Sequence, residues 1–454
     1  MKSLIGDKSF YKRLIAVALP IVVQQLITSS VQLVDNIMVG SLGELAIDSV
    51  AVVNQLYFIV ILVVFGVLSG AGVYTAQYYG SKDFDKLQQT FRFKIIASLV
   101  VVFLSFIILS FFGSFFISLF TENTSVVTGG MSYLRIVRYS MIPWAFSVSI
   151  SFTFREIGIT KSLLRISLIT IITNTFLNYL LIFGSFGFPA LGIEGAAIAT
   201  LISRVLEAAL FILLALKRGK VFNTNIKDVF KINPIVLKAI IIMAIPLMLN
   251  EVLWSTGQTV FIQAYSTRGD NAYAAANITQ AVSQLVFVIF GGISTAIAVM
   301  VGNTLGENKL ELAKENSKKL IFAALVTAVC MGVILFILSY FVIDIYNVLD
   351  ETKAYAAFNI RVNAITIPIV AFNVSMYFTL RAGGDIKSTF IMDSGYMWTI
   401  QVPIIFILSR VTDLPITMLF LIVQLLEIPK MGFALARYRK GNWIRNLANP
   451  KELI

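Results

Sequence analysis

The sequence contains no histidine. That removes the commonest general base and the commonest biological metal ligand together. It contains a single cysteine, Cys330, set in an apolar run. No disulfide can close within the chain, and a zinc cluster has no ligands to draw on. Charged residues make up only 13% of the chain, against about 25% in soluble proteins. No Gly-x-x-x-x-Gly-Lys-[Ser/Thr] loop or nucleophile elbow is present, so neither an intrinsic ATPase nor another enzyme is expected.

What is present is apolar. Of the 454 residues, 58% are hydrophobic, and mean hydropathy is +0.86. No water-soluble core hides that much apolar side chain, so lipid must be much of the solvent. Twelve stretches approach bilayer length, at 14–38, 50–77, 94–118, 133–154, 163–184, 191–216, 237–262, 279–302, 318–341, 360–380, 388–409 and 413–436. The N-terminus is basic and runs into an apolar segment, as in a signal peptide. That segment outlasts an h-region and carries Pro20, Gln24, Gln25 and Asp35, so it reads as the first span.

The net charge is +12. Its distribution argues against nucleic acid. The N-terminus, the connections 78–94, 155–165, 217–238, 303–319 and 381–387, and the tail from 437 hold 28 of the 36 basic residues. The opposite connections hold six: Arg135, Arg138, Arg268, Lys353, Arg361 and Arg410. The positive-inside rule then predicts both termini and the central linker in the cytoplasm of a plasma (inner) membrane protein, its basic residues facing anionic lipid. Tyr133 and Trp144 fall where an interfacial aromatic belt would lie.

The chain also repeats itself. Residues 13–90 and 239–316 superpose without a gap at an offset of 226. Pro20 falls on Pro246, Gln32 on Gln258, Gly66 on Gly292, Arg155 on Arg381, and Lys161-Ser162 on Lys387-Ser388. The sequence therefore predicts an all-α polytopic membrane protein with twelve transmembrane helices in two parallel-repeat six-helix lobes, the usual build of a secondary transporter. The expected divisions are an N-terminal lobe at 1–216, a linker at 217–234, a C-terminal lobe at 235–436 and a basic tail at 437–454. A monomer is expected.

Polar residues at membrane depth are costly and usually face a cavity. Asp35 lies late in the first span. Asn174 and Asn178 share one face of the fifth span at i,i+4 spacing, and Thr200 lies in the sixth at a similar depth. All are oxygen donors, suited to sodium or to a carboxylate that takes a proton. Thr200 alone fits an interhelical hydrogen bond equally well. In the second lobe, Glu251 lies near mid-membrane beside Asn250, with Gln258 two turns on and Asp393 in the eleventh span. These are candidates to line a substrate or cation cavity, or for Glu251 to pair with a basic residue. Asn363, Asn373, Gln280 and Gln284 fit cavity lining or interhelical bonding. Arg204 and Glu207, three apart, are expected to pair. Pro20 weakens the first span and is the candidate hinge.

The parallel repeat, Pro20 with Asp35 in Val34-Asp35-Asn36-Ile37-Met38-Val39-Gly40, Gln77-Tyr78-Tyr79-Gly80, Asn174-x-x-x-Asn178 and Leu380-Arg381-Ala382-Gly383-Gly384-Asp385 together resemble the multidrug and toxic compound extrusion (MATE) family. Within it they resemble the NorM-like branch. The resemblance implies export of amphiphilic or cationic organic compounds by alternating access, in antiport against H+ or Na+ and without a cofactor. It implies that Asp35, Asn174, Asn178 and Thr200 form the cation-coupling site. Glu251 matches the acidic residue of the seventh span. The tenth span has Asn363 and Asn373 where NorM-like members tend to have an acid. The alternative is a flippase of lipid-linked oligosaccharides, which would need a strongly cationic cavity to hold pyrophosphate.

Overall fold

The first two helices, α1 (Lys8–Gly40) and α2 (Glu44–Gly80), are joined by a three-residue turn through Gly43, whose φ of +109° suits only glycine. They open a computed structural model that describes residues 4–222 and 228–449. Parts of the expected linker (223–227) and tail (450–454) lie outside the described residues. Asp83 then caps α3 (Phe84–Ser118), accepting from the Lys86 amide at 3.1 Å. The fourth span is α4 (Thr124–Val137), a 3-10 turn at Arg138–Ser140, and α5 (Met141–Glu156). Next come α6 (Lys161–Phe183), stopped by left-handed Gly184, α7 (Gly192–Leu216) and the short α8 (Gly219–Phe222).

The second half follows with α9 (Pro234–Ser266), α10 (Asp270–Gly306), α11 (Leu310–Leu338) and α12 (Asp350–Ala382). Its eleventh span is composite: α13 (Ile386–Phe390), π-helical turns at Ile391–Gly395 and Met397–Gln401, and α14 (Val402–Val411). The twelfth is α15 (Ile416–Leu425) with α16 (Glu427–Lys440). Eleven helices among the described residues are long and apolar enough to cross a membrane. The interrupted α4–α5 supplies the twelfth span. No strand occurs among the described residues.

The repeat governs helix boundaries. The offset of 226 carries both ends of α1 onto α9 and both ends of α2 onto α10. It also carries the starts of α3 and α4 onto those of α11 and α12, and the end of α5 onto the end of α12.

The chain forms two compact units, Val23–Met248 on the one hand and Met1–Val22 with Leu249–Ile454 on the other. Packing divides the chain inside α1 and α9, two residues beyond Pro20 and Pro246, and not at the linker. Close glycine contacts accompany this division. In the first unit, Gly66 and Gly70 of α2 lie against the backbone of Met248 and Ala244. In the second, Gly292 of α10 lies against the Ala18 carbonyl and Val22. These contacts are related by the same offset. Each second helix therefore packs on the opening turns of the other repeat's first helix, where the absent Cβ lets backbones meet.

Candidate functional site

The unit Val23–Met248 brings three of the four expected cation-site residues into one hydrogen-bonded chain. Asn178 Nδ2 donates to Asp35 Oδ1 at 2.8 Å and to Asn174 Oδ1 at 3.4 Å. The i,i+4 register of α6 stacks the two amides, and α1 delivers the carboxylate. Asn178 is buried, and its Oδ1 has no hydrogen-bond partner among the described residues. No basic side chain pairs with Asp35 among the described residues. Thr200 spends its hydroxyl proton on the Ala196 carbonyl at 3.0 Å, within its own helix. Tyr133 is buried in the unit's core, not exposed as in an interfacial belt. Arg204 and Glu207 pair at 2.8 Å, as their spacing predicts.

Lower in the same unit, Lys94 is fully buried and paired with Glu156, with Thr153 Oγ1 at 3.3 Å. The sequence places Lys94 at the edge of a cytoplasmic connection. The structure draws it inside, because α3 continues past it and Glu156 closes α5 opposite.

The other unit gathers a larger charged network. Glu251 lies 3.5 Å from Arg381, the kind of basic partner that was the alternative to a cavity role. Arg381 also donates to the Tyr377 hydroxyl at 3.2 Å. Asn250, buried, donates to Asp393 Oδ2 at 3.0 Å and to Tyr377 at 3.2 Å. Its backbone carbonyl and Oδ1 are met by the hydroxyl and amide of Ser394. Two residues that sequence reasoning missed complete the network. Lys430 lies 3.4 Å from Asp393 and 3.5 Å from Glu427. Glu427 in turn accepts from Asn373 Nδ2 at 2.8 Å and Gln401 Nε2 at 2.9 Å. A signal existed: the repeat offset carries Arg204 onto Lys430, and Glu427 is three residues before it. Gln258 is half-buried. Asn363 acts as interhelical glue, donating to Ser283 Oγ at 2.8 Å. Pro20 is buried inside a continuous α1.

One contact of the second network has a repeat counterpart, and the Asp35 network has none. Gln24 donates to Ser167 Oγ at 2.6 Å, and the offset carries that contact onto Asn250–Asp393. The offset carries Asp35 and Asn178 onto Phe261 and Ile404, both apolar.

The MatE family model matches residues 20–180 and again 246–407, the second block starting 226 residues after the first. The chain belongs to the MATE family. It is 25% identical over 409 residues to the probable multidrug resistance protein YoeA of Bacillus subtilis, covering 87% of this chain and 86% of that protein. It is 24% identical to the probable multidrug resistance protein NorM of Thermotoga maritima, covering 88% and 86%. A crystal structure of a mutant of the Vibrio cholerae MATE transporter VcmN superposes with a TM-score of 0.88 at 17% identity, covering 97% and 98%. That last likeness speaks for the fold alone. As a MATE-family transporter, the chain is a multi-pass membrane protein. Its polar residues at membrane depth are therefore candidates for moving ions and substrate.

Proposed function

We propose that this MATE-family chain is a secondary active exporter of amphiphilic or cationic organic compounds, antiporting them against H+ or Na+ by alternating access. One observation carries the reading: a membrane-depth carboxylate, Asp35, held by an amide and by no basic side chain among the described residues. Asn178 occupies Oδ1, leaving Oδ2 to take a proton or a cation. Asn178 Oδ1 and Asn174 Oδ1 are oxygens at hand for sodium or for the hydrogen of a protonated carboxyl. The multidrug names of the relatives support the substrate class.

Antiport follows from differential affinity. A charged Asp35 favours water and cations, and a neutralised one favours its amide partners. An ion shifts the conformation of the first span only by binding one shape better than the other. Pro20 supplies the compliant point, since proline leaves one helix hydrogen bond unmade.

The test is efflux of a cationic dye from proteoliposomes with a pH gradient and a sodium gradient imposed separately. Uptake or release driven by at least one gradient is expected. Identical flux with and without both gradients would overturn the reading.

A further inference from the structure

We propose that Lys430 is a tethered counter-cation, occupying a binding site for the substrate's cationic group between Asp393 and Glu427 and leaving that site when substrate enters. The inference rests on the export reading and names the subsite and the residue that guards it. Three carboxylates, Glu251, Asp393 and Glu427, stand against two basic side chains, Arg381 and Lys430. The basic pair is held unequally. Arg381 is fastened by Tyr377 as well as by Glu251. Lys430, among the described residues, forms ion pairs with the two carboxylates, both at the long end of ion-pair range, 3.4 and 3.5 Å.

The carboxylates do not depend on Lys430 for their position. Asp393 accepts from Asn250 at 3.0 Å, and Glu427 from Asn373 and Gln401 at 2.8 and 2.9 Å. Withdrawing Lys430 leaves each carboxylate with neutral donors and a charge unmet. That is the condition for binding another cation.

A second observation points to a ligand. Asn373 is 2% exposed, and its Nδ2 donates to the backbone carbonyl and the carboxylate of Glu427. Its Oδ1 is buried without a partner among the described residues. Glu427 fixes the amide in this sense, since a flip would set oxygen against oxygen. The site therefore offers two carboxylates and one buried acceptor, a set for an organic ammonium with N–H groups. Lysine suits a displaceable role, being a compact charge on a flexible stem. The repeat supplies a contrast: Arg204, at the equivalent position, is tied to Glu207 of its own helix at 2.8 Å.

The experiment measures binding of two amphiphilic probes, one a primary ammonium and one a neutral isostere, to the purified full-length protein. Lys430→Gln should tighten ammonium binding by about tenfold and leave the neutral probe unchanged, while Lys430→Arg keeps weak binding. Unchanged or weaker ammonium binding by folded Lys430→Gln overturns the proposal, as does equal tightening for both probes. A wild-type measurement covers the case of a misfolded variant. Modification of Lys430 by an amine reagent, read by mass spectrometry, should increase when a quaternary ammonium amphiphile, itself inert to the reagent, is added. No increase overturns the proposal. Gradient-driven efflux by the wild type is scored separately, so failure of the export reading is distinguishable from failure of this subsite.

Discussion

Asp35 and Glu251 are both acidic residues at membrane depth, and the sequence treats them nearly alike. Their surroundings separate them. Asp35 has an amide donor and no basic partner among the described residues, whereas Glu251 faces Arg381. Asp35→Asn should abolish ion-coupled export while the protein still inserts and folds, because an amide at that depth carries no charge to neutralise. Dye efflux and thermal unfolding of the same preparation check both halves, and retained concentrative efflux would exclude the role. Glu251→Gln should behave differently. It leaves a mostly buried Arg381 without its carboxylate, a loss worth roughly 3–5 kcal/mol in well-buried pairs. A lowered unfolding temperature is expected, partly recovered in Glu251→Gln/Arg381→Gln. Unchanged stability of the single variant would mean that the pair does not hold this unit together.

At the scale of the element, the helices are set by interruptions as much as by apolar runs. Gly291 and Gly292 are neighbours in α10, and only Gly292 faces a packed backbone. A Cβ there would press on Ala18 and Val22, while one on Gly291 would meet nothing within 4 Å. Gly292→Ala should therefore cost about 1–3 kcal/mol, the usual penalty for overpacking, and Gly291→Ala should be close to neutral. Comparable thermal melts for the two variants would contradict the contact. Pro20 stands two residues before the point at which α1 passes between packing units. Pro20→Ala should raise the melting temperature, since an interior proline costs a helix ~3 kcal/mol. It should also slow turnover by stiffening the span. Faster export in this variant would remove Pro20 as the hinge. The π-helical turns around Asp393 had no counterpart in the sequence reading, because local propensity does not distinguish a π turn from an α turn.

Over the whole molecule, the uneven spread of basic residues predicts topology. In a Cys330→Ala background, an impermeant maleimide added to intact cells should label Glu122→Cys, between α3 and α4, and not Lys217→Cys, at the end of α7. The reverse pattern would invert the chain in the membrane. The repeat makes a further point about charge. Asp35 lies fifteen residues beyond Pro20, and Glu251 five beyond Pro246, so the two carboxylates differ by about 15 Å along equivalent helices. The halves have kept a scaffold and placed their charge at different depths. Class, span positions, duplication and the shared helix face of Asn174 and Asn178 were all legible in the sequence. Each rests on a strong periodic or compositional signal: apolar runs of bilayer length, a constant offset, or i,i+4 spacing on one helix. Tertiary structure alone decided which carboxylate is unpaired, that Lys430 bridges Asp393 and Glu427, that Lys94 is buried, and that packing divides the chain inside α1 and α9. These depend on how helices far apart in sequence approach one another. Glycine contacts such as Gly66 against Met248 and Gly292 against Val22 lie along that approach, and no local pattern records which partner will fill them.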